Sequence, residues 1–135
     1  MCYGIKHEPD ALASYSASKE VSVVASGLVI HLDKPWLSAS PDGLVLSGGV
    51  PESVVEVKCP YTLRNGMTLK EFAAKPSSCL VSRESELVLN PSHTYHFQVP
   101  VQMHVCNVGN ADFVVWSPNE VFIQRIRRDI LCLRR

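Results

Sequence analysis

The segment Val54-Val55-Glu56-Val57-Lys58-Cys59 constrains this chain more than any other. Its β-branched apolar residues select a buried strand, and Pro60 ends that strand because proline cannot donate to a ladder. Side chains on a strand alternate between faces, so Glu56 and Lys58 project from one side while Val55, Val57 and Cys59 face the other, into a core. A carboxylate and an ammonium two residues apart in so apolar a strand are costly to bury unless something compensates them. Asp42, in Ser40-Pro41-Asp42-Gly43, lies fourteen positions before Glu56, with a Gly48-Gly49 turn between. That separation suits two neighbouring strands joined by a loop. A divalent cation bridging Asp42 and Glu56 would remove the burial cost.

The rest of the chain supplies the frame. Residues 7–18 read as a short helix with Pro9 near its start, where a missing N–H is tolerated. Residues 21–46 read as two or three strands, the last carrying Asp42, and 54–59 as the next. One or two helical turns are expected over 68–74. The prolines, serines and mixed charge of 75–91 read as a loop or flexible insertion. Residues 92–108 read as a helix that Pro100 should kink. Two further strands, 111–116 and 121–126, flank the turn Ser117-Pro118-Asn119. This order predicts an α/β (α+β) sheet flanked by helices, in one domain for 135 residues.

Composition narrows the class. With 46% hydrophobic and 19% charged residues the chain folds rather than remaining disordered. Its formal net charge is zero, so bulk electrostatics announce no nucleic-acid partner. Arg125, Arg127, Arg128, Arg134 and Arg135 nevertheless crowd the end of the chain, as a phosphate-facing patch or a solvated edge and tail. The five cysteines, Cys2, Cys59, Cys79, Cys106 and Cys132, are odd in number and lack a C-x-x-C pair. They read as reduced thiols in an intracellular protein, nuclear or cytoplasmic and not secreted. No leader is visible, and the apolar run 21–32 is too short for a bilayer, so no membrane partner is expected.

Cleaving a phosphodiester needs a positioned water and positive charge on the transition state, and one or two Mg²⁺ ions held by carboxylates supply most of both. Mg²⁺ takes hard oxygen ligands and keeps several waters. Asp42 and Glu56 fit that need, with the Val57 carbonyl as a third oxygen and Lys58 as a compact point charge. An Asp with a later Glu-x-Lys is common by itself. Ser40-Pro41-Asp42-Gly43 is also an ordinary turn tetrapeptide. Gln98 and Gln102 equally suit the polar stripe of an amphipathic helix, and Glu8 a solvated first-turn acid. The five histidines show no ligand spacing, and the cysteines read as core fillers.

The flanking residues single out a family. Gly4-Ile5-Lys6-His7-Glu8 with Ala11 and Tyr15, then Ser-Pro-Asp-Gly, then Glu-Val-Lys-Cys-Pro-Tyr, then Tyr95-x-x-Gln98 with Gln102-Met103, follow one order. The chain resembles the YqaJ-type viral recombinase domains, which include lambda exonuclease and belong to the PD-(D/E)XK, restriction-endonuclease-like nucleases. The resemblance runs from Gly4 to about Pro118, including Asp112 to Pro118. It implies a restriction-endonuclease-like core, a mixed central sheet with helices on both sides and the active site at one edge. It also implies Mg²⁺-dependent exonuclease digestion of linear duplex DNA from an end, with Mn²⁺ as a substitute ion.

Carried onto this chain, the resemblance makes Asp42 and Glu56 metal-binding carboxylates and Lys58 the catalytic lysine. Glu8 is a further metal-holding acid, and Gln98 orients the water or the lysine. It allows a homo-oligomer and a single-strand-annealing partner protein. Family members carry a helix before the Gly4 segment, with an arginine- and serine-containing stretch that grips DNA. This sequence opens three residues before Gly4, so the expectation is a single nuclease domain over 1–135 without that helix. Pro100 stands where the family tends to have a second glutamine. A DNA-binding or scaffold module without activity is the alternative from another class, and an endonuclease that cuts closed circles is a third.

Overall fold

A computed structural model describes residues 3–128. Cys2, Cys132, Arg134 and Arg135 lie outside the described residues. Helix α1 (Tyr3–Lys19) is followed by β1 (Val23–Ala25), β2 (Val29–Ile30), β3 (Ser38–Ala39), β4 (Gly43–Ser47) and β5 (Val50–Lys58). A 3₁₀ turn (Tyr61–Leu63), α2 (Leu69–Ala73), β6 (Leu80–Arg83), β7 (Glu86–Leu89), α3 (Tyr95–Cys106), β8 (Asn110–Trp116) and β9 (Val121–Arg127) complete the order. The main sheet has five strands in the order β1-β4-β5-β8-β9. Only β5 and β8 pair parallel, Val55 opposite Asp112 and Val57 opposite Val114, and the other neighbours are antiparallel. This is the mixed α/β sheet expected from the order of elements.

The central strands are buried on both faces, which is why they read as unbroken apolar runs. Toward α1, Val45, Val55, Val57, Val114 and Trp116 pack with Ala11 and Tyr15. On the opposite face, Val54, Phe113 and Val115 pack with Leu69 and Phe72 of α2 and with Val99 and Met103 of α3. Turn chemistry sets the registers. Gly48 and Gly49 sit at φ 59° and 81° between Ser47 and Val50, the doubly left-handed hairpin turn that glycine favours.

Three elements differ from the sequence reading. Helix α1 starts at Tyr3, so Pro9 lies inside it; the Ile5 carbonyl, deprived of its donor, belongs to an exposed residue and is left to water. Residues 75–91, read as a loop, contain the β6–β7 hairpin, in which Arg83 pairs with Glu86 across Glu84 and Ser85 at φ 51° and 70°. Gln124 Oε1 accepts from the Leu89 N–H at 2.8 Å and ties this hairpin to β9. Asp42 stands immediately ahead of β4 rather than within it.

Two of the C-terminal arginines serve the fold. Asp112 on β8 is fully buried and accepts from Arg125 Nε at 3.0 Å and Nη2 at 3.1 Å, and from the Tyr15 hydroxyl. This bidentate pair links β9, β8 and α1. Arg128 Nη1 donates to the Val108 carbonyl at 3.3 Å, just past the end of α3. That end closes with Asn107 left-handed at φ 54° and Val108 N–H returning to the Met103 carbonyl at 3.0 Å, a Schellman closure.

Removing Arg125 leaves the Asp112 carboxylate buried with Tyr15 as its remaining side-chain partner. Arg125→Leu is expected to destabilise the chain by about 3 kcal/mol in urea unfolding, and adding Asp112→Asn to recover part of that loss. A single-variant loss below about 1 kcal/mol would show that the pair is no more than a surface contact.

Candidate active site

The site forms where the β4–β5 ladder stops. Pairing between these strands ends at Gly43 opposite Val55, which leaves the next outward-facing backbone group on β5, at Val57, without a strand partner. Asp42 takes its place: its Oδ2 accepts from the Val57 N–H at 2.7 Å. A strand residue directs its N–H and C=O toward the same edge, so the Val57 carbonyl emerges beside the Asp42 carboxylate. Pro41 is fully buried and anchors the approach to Asp42. Gly43 follows because there is no room for more. A Cβ there would stand 2.7 Å from Val23 Cγ1 and 3.2 Å from Leu12 Cδ2.

Glu56 and Lys58 share the face opposite Val55 and Val57, as strand alternation requires. Glu56 is 8% exposed. Its Oε2 lies 2.8 Å from Lys58 Nζ, and its Oε1 accepts from Gln102 Nε2 at 3.1 Å. Lys58 Nζ also sits 4.1 Å from the centre of the Tyr95 ring. Burial works against the Lys58 ammonium, but the Glu56 hydrogen bond and charge, with Tyr95 and Asp42, outweigh it and hold its pKa above the ordinary lysine value. The Asp42 pKa is raised as well, up to about 7, by burial first and then by the Glu56 charge, both of which favour the neutral form of a carboxyl group. The Val57 N–H opposes this, Glu8 adds to it, and Lys58 reduces it.

Asp42 and Lys58 open on one cleft of about 490 Å³, lined also by Glu8 of α1, Val57, Cys59, Ser77, Cys79, His93 and Tyr95. Glu56 sits behind Lys58, joined to it by the ion pair. Among the described residues no three His, Cys, Asp or Glu side chains converge tightly enough to hold a metal ion alone. The groups that could meet a cation here are the Asp42 and Glu56 carboxylates and the Val57 carbonyl, with water completing a shell. That set fits a hard divalent cation. Asp42 is the test: a half-buried carboxylate facing a second carboxylate, with a single backbone donor, is the group a cation would stabilise. Glu8 lines the same cleft and raises the Asp42 pKa, which places its charge within reach of the pair.

The two glutamines part company. Gln98 is exposed, with Ser40, Thr94, Phe97 and Gln102 around the neighbouring groove, and no hydrogen bond joins it to a carboxylate among the described residues. Gln102, one turn on, is the glutamine that touches Glu56. Its Oε1 is buried and accepts no hydrogen bond. Tyr95 belongs to the Tyr95-x-x-Gln98 motif of the sequence, but the motif alone gives it no site role. Its spacing of seven from Gln102 puts both on one helical face, and that periodicity was the available signal.

The fold is shared with solved structures. The chain is 29% identical to an alkaline exonuclease (LHK-Exo) from Laribacter hongkongensis, with a TM-score of 0.67 over 94% of this chain and 57% of that one. A structure of LHK-Exo in complex with dAMP gives a TM-score of 0.66 at the same identity and coverage. The chain thus spans little more than half the length of these relatives. No curated protein matches it. No described helix is long and apolar enough to cross a membrane. The model of the YqaJ-like viral recombinase domain matches residues 1–109, and on that match, over a site of two carboxylates and a lysine, the chain belongs to the YqaJ-like viral recombinase domain family.

Proposed function

We propose that this chain is a metal-dependent deoxyribonuclease, an exonuclease that hydrolyses phosphodiester bonds at the ends of linear duplex DNA. The observation that supports the reading is that Asp42 and Lys58, sixteen positions apart, line one cleft beside Glu8, with Glu56 paired to Lys58 and its charge acting on Asp42. The likeness to an alkaline exonuclease and to its dAMP complex supports it. Asp42 and Glu56, with the Val57 carbonyl and Glu8, hold Mg²⁺, or Mn²⁺ in its place. When bound, the ion supplies positive charge against the phosphate oxygens and eases deprotonation of the attacking water.

The chain's own groups do the rest. Lys58 stays charged and presents its ammonium to the negative charge that develops on the phosphate. Glu56 anchors Lys58 through one oxygen and is itself held by Gln102 through the other, so neither side chain can swing out of line. Tyr95 covers Lys58 from the opposite wall and keeps bulk water off it.

A time course on linear duplex DNA beside closed circular plasmid tests the activity. Mg²⁺-dependent loss of the linear form is expected with the circle left intact, and Glu56→Gln or Lys58→Ala should each slow digestion at least about 100-fold. Cutting of the circle would replace the exonuclease with an endonuclease. DNA retained in EDTA but never digested in Mg²⁺ or Mn²⁺ would leave a binding module.

Asp42 supplies a test independent of turnover. Because its folded pKa lies above its unfolded one, the native state holds the extra proton between about pH 4 and 7. Metal-free stability should therefore fall as pH rises through that window, and Asp42→Asn should remove the fall. Mg²⁺ should raise the melting temperature at pH 8 and lose this effect as pH drops through about 7, where protons compete for Asp42. An equal Mg²⁺ shift in Asp42→Asn would remove Asp42 from the ligand set.

A further inference from the structure

The β5 strand that carries Glu56 and Lys58 runs directly into a second feature. Pro60 ends the strand, and the 3₁₀ turn that follows buries Leu63 completely, which leaves Tyr61 and Arg64 outside. Tyr61 is 58% exposed. Arg64 Nη1 donates to the Tyr61 carbonyl at 3.1 Å, and its guanidinium carbon sits 3.6 Å from the centre of the Tyr61 ring. No carboxylate pairs with Arg64 among the described residues. The cation is thus ordered over an aromatic ring while its charge stays uncompensated.

Tyr61 is the outer member of a file of rings. It meets Tyr3 nearly perpendicularly at 5.6 Å, Tyr3 packs on His7 at 4.4 Å, and His7 stacks on buried Trp116 at 5.0 Å and 20°. The file runs beside the nuclease cleft rather than in its lining: Tyr3 precedes Gly4 and Ile5, His7 precedes Glu8 and Tyr61 follows Pro60, and these neighbours line the cleft. Anchoring on Trp116 makes the outer rings a rigid ledge, and the buried Tyr3 hydroxyl has no partner.

We infer that Tyr61, Arg64 and Tyr3 form a stacking platform for unpaired bases of a DNA strand leaving or entering the cleft. Every nucleobase offers a π-face to an aromatic ring or a guanidinium plane, and Arg adds charge for the phosphate beside it. Tyr61 lies three residues past Lys58, so their Cα atoms are within about 10 Å. That distance is about three steps of stacked single strand. A strand with its phosphate at Lys58 brings its next bases to this ledge. The platform rests on the nuclease reading for the path of the strand and extends it to a single-stranded substrate segment outside the scissile bond.

The test measures binding of the whole chain in EDTA, by fluorescence anisotropy, to two probes of equal length and charge. One is an oligothymidylate of about twelve nucleotides and the other its abasic counterpart. The wild type should prefer the base-bearing probe. Tyr61→Ala should weaken that probe about 5- to 150-fold and leave the abasic one nearly unchanged. Tyr61→Phe should bind like wild type, and Tyr61→Leu, which keeps bulk and loses the π-face, like Tyr61→Ala. The platform is overturned if both probes bind alike, if Tyr61→Ala weakens both equally, or if Tyr61→Leu binds like wild type. Digestion of linear duplex in Mg²⁺ is read separately. Base-dependent binding without digestion sinks the nuclease reading alone, whereas digestion with an indifferent Tyr61→Ala sinks the platform alone.

Discussion

The ion pair of Glu56 with Lys58, set at the end of a strand buried on both faces, is the constraint around which the rest is arranged. Neither charge is tolerable there by itself. Lys58, on the same strand, answers one oxygen of Glu56, Gln102 of α3 answers the other, and Tyr95 of α3 lies against the ammonium, so α3 must dock on β5 before the pair is satisfied. That requirement fixes where α3 crosses the sheet. It also leaves Asp42, across the strand edge, without a salt bridge among the described residues, like Glu8.

Asp42 is held in place by the same strand. The ladder between β4 and β5 ends two residues short of Val57, and the Asp42 side chain completes it in place of a backbone carbonyl. The residue after Asp42 is closely packed, since Leu12 and Val23 close over Gly43. Helix α1 is in turn fastened to β8 and β9 through Tyr15, Asp112 and Arg125. Glu8 projects toward the cleft from that fastened helix, so the remote Asp112 network and the acidic side of the site form one mechanical unit.

The strand content, the alternation on β5 and the grouping of Asp42, Glu56 and Lys58 were legible because each rests on a strong local signal: β-branched runs, period-two placement, and Gly48-Gly49 in a turn that demands positive φ. The β6–β7 hairpin was not. Its turn uses Glu84 and Ser85 in the left-handed region where Asn-Gly would be the usual pair, and prolines and serines around it have the composition of a loop. Helix α1 begins four residues before the expected 7–18 span, because Pro9 has the character of a first-turn residue yet lies inside the helix. Tertiary packing of Ala11 and Tyr15, and the stack of His7 on Trp116, carry the helix through it.

Pro100 governs the division between the two glutamines. It sits in the sixth position of α3, where its ring removes one hydrogen bond, yet the helix continues to Cys106. Val99 and Met103, both fully buried against the sheet, flank it and fix the rotation of the helix regardless of the missing bond. With Val99 and Met103 facing inward, Gln98 is turned outward and Gln102 falls at the rim above Glu56. Motif order alone cannot distinguish two glutamines one turn apart. The inward pair of apolar residues can, because a helix has one rotation that buries Val99 and Met103 together, and in that rotation Gln102 meets the carboxylate.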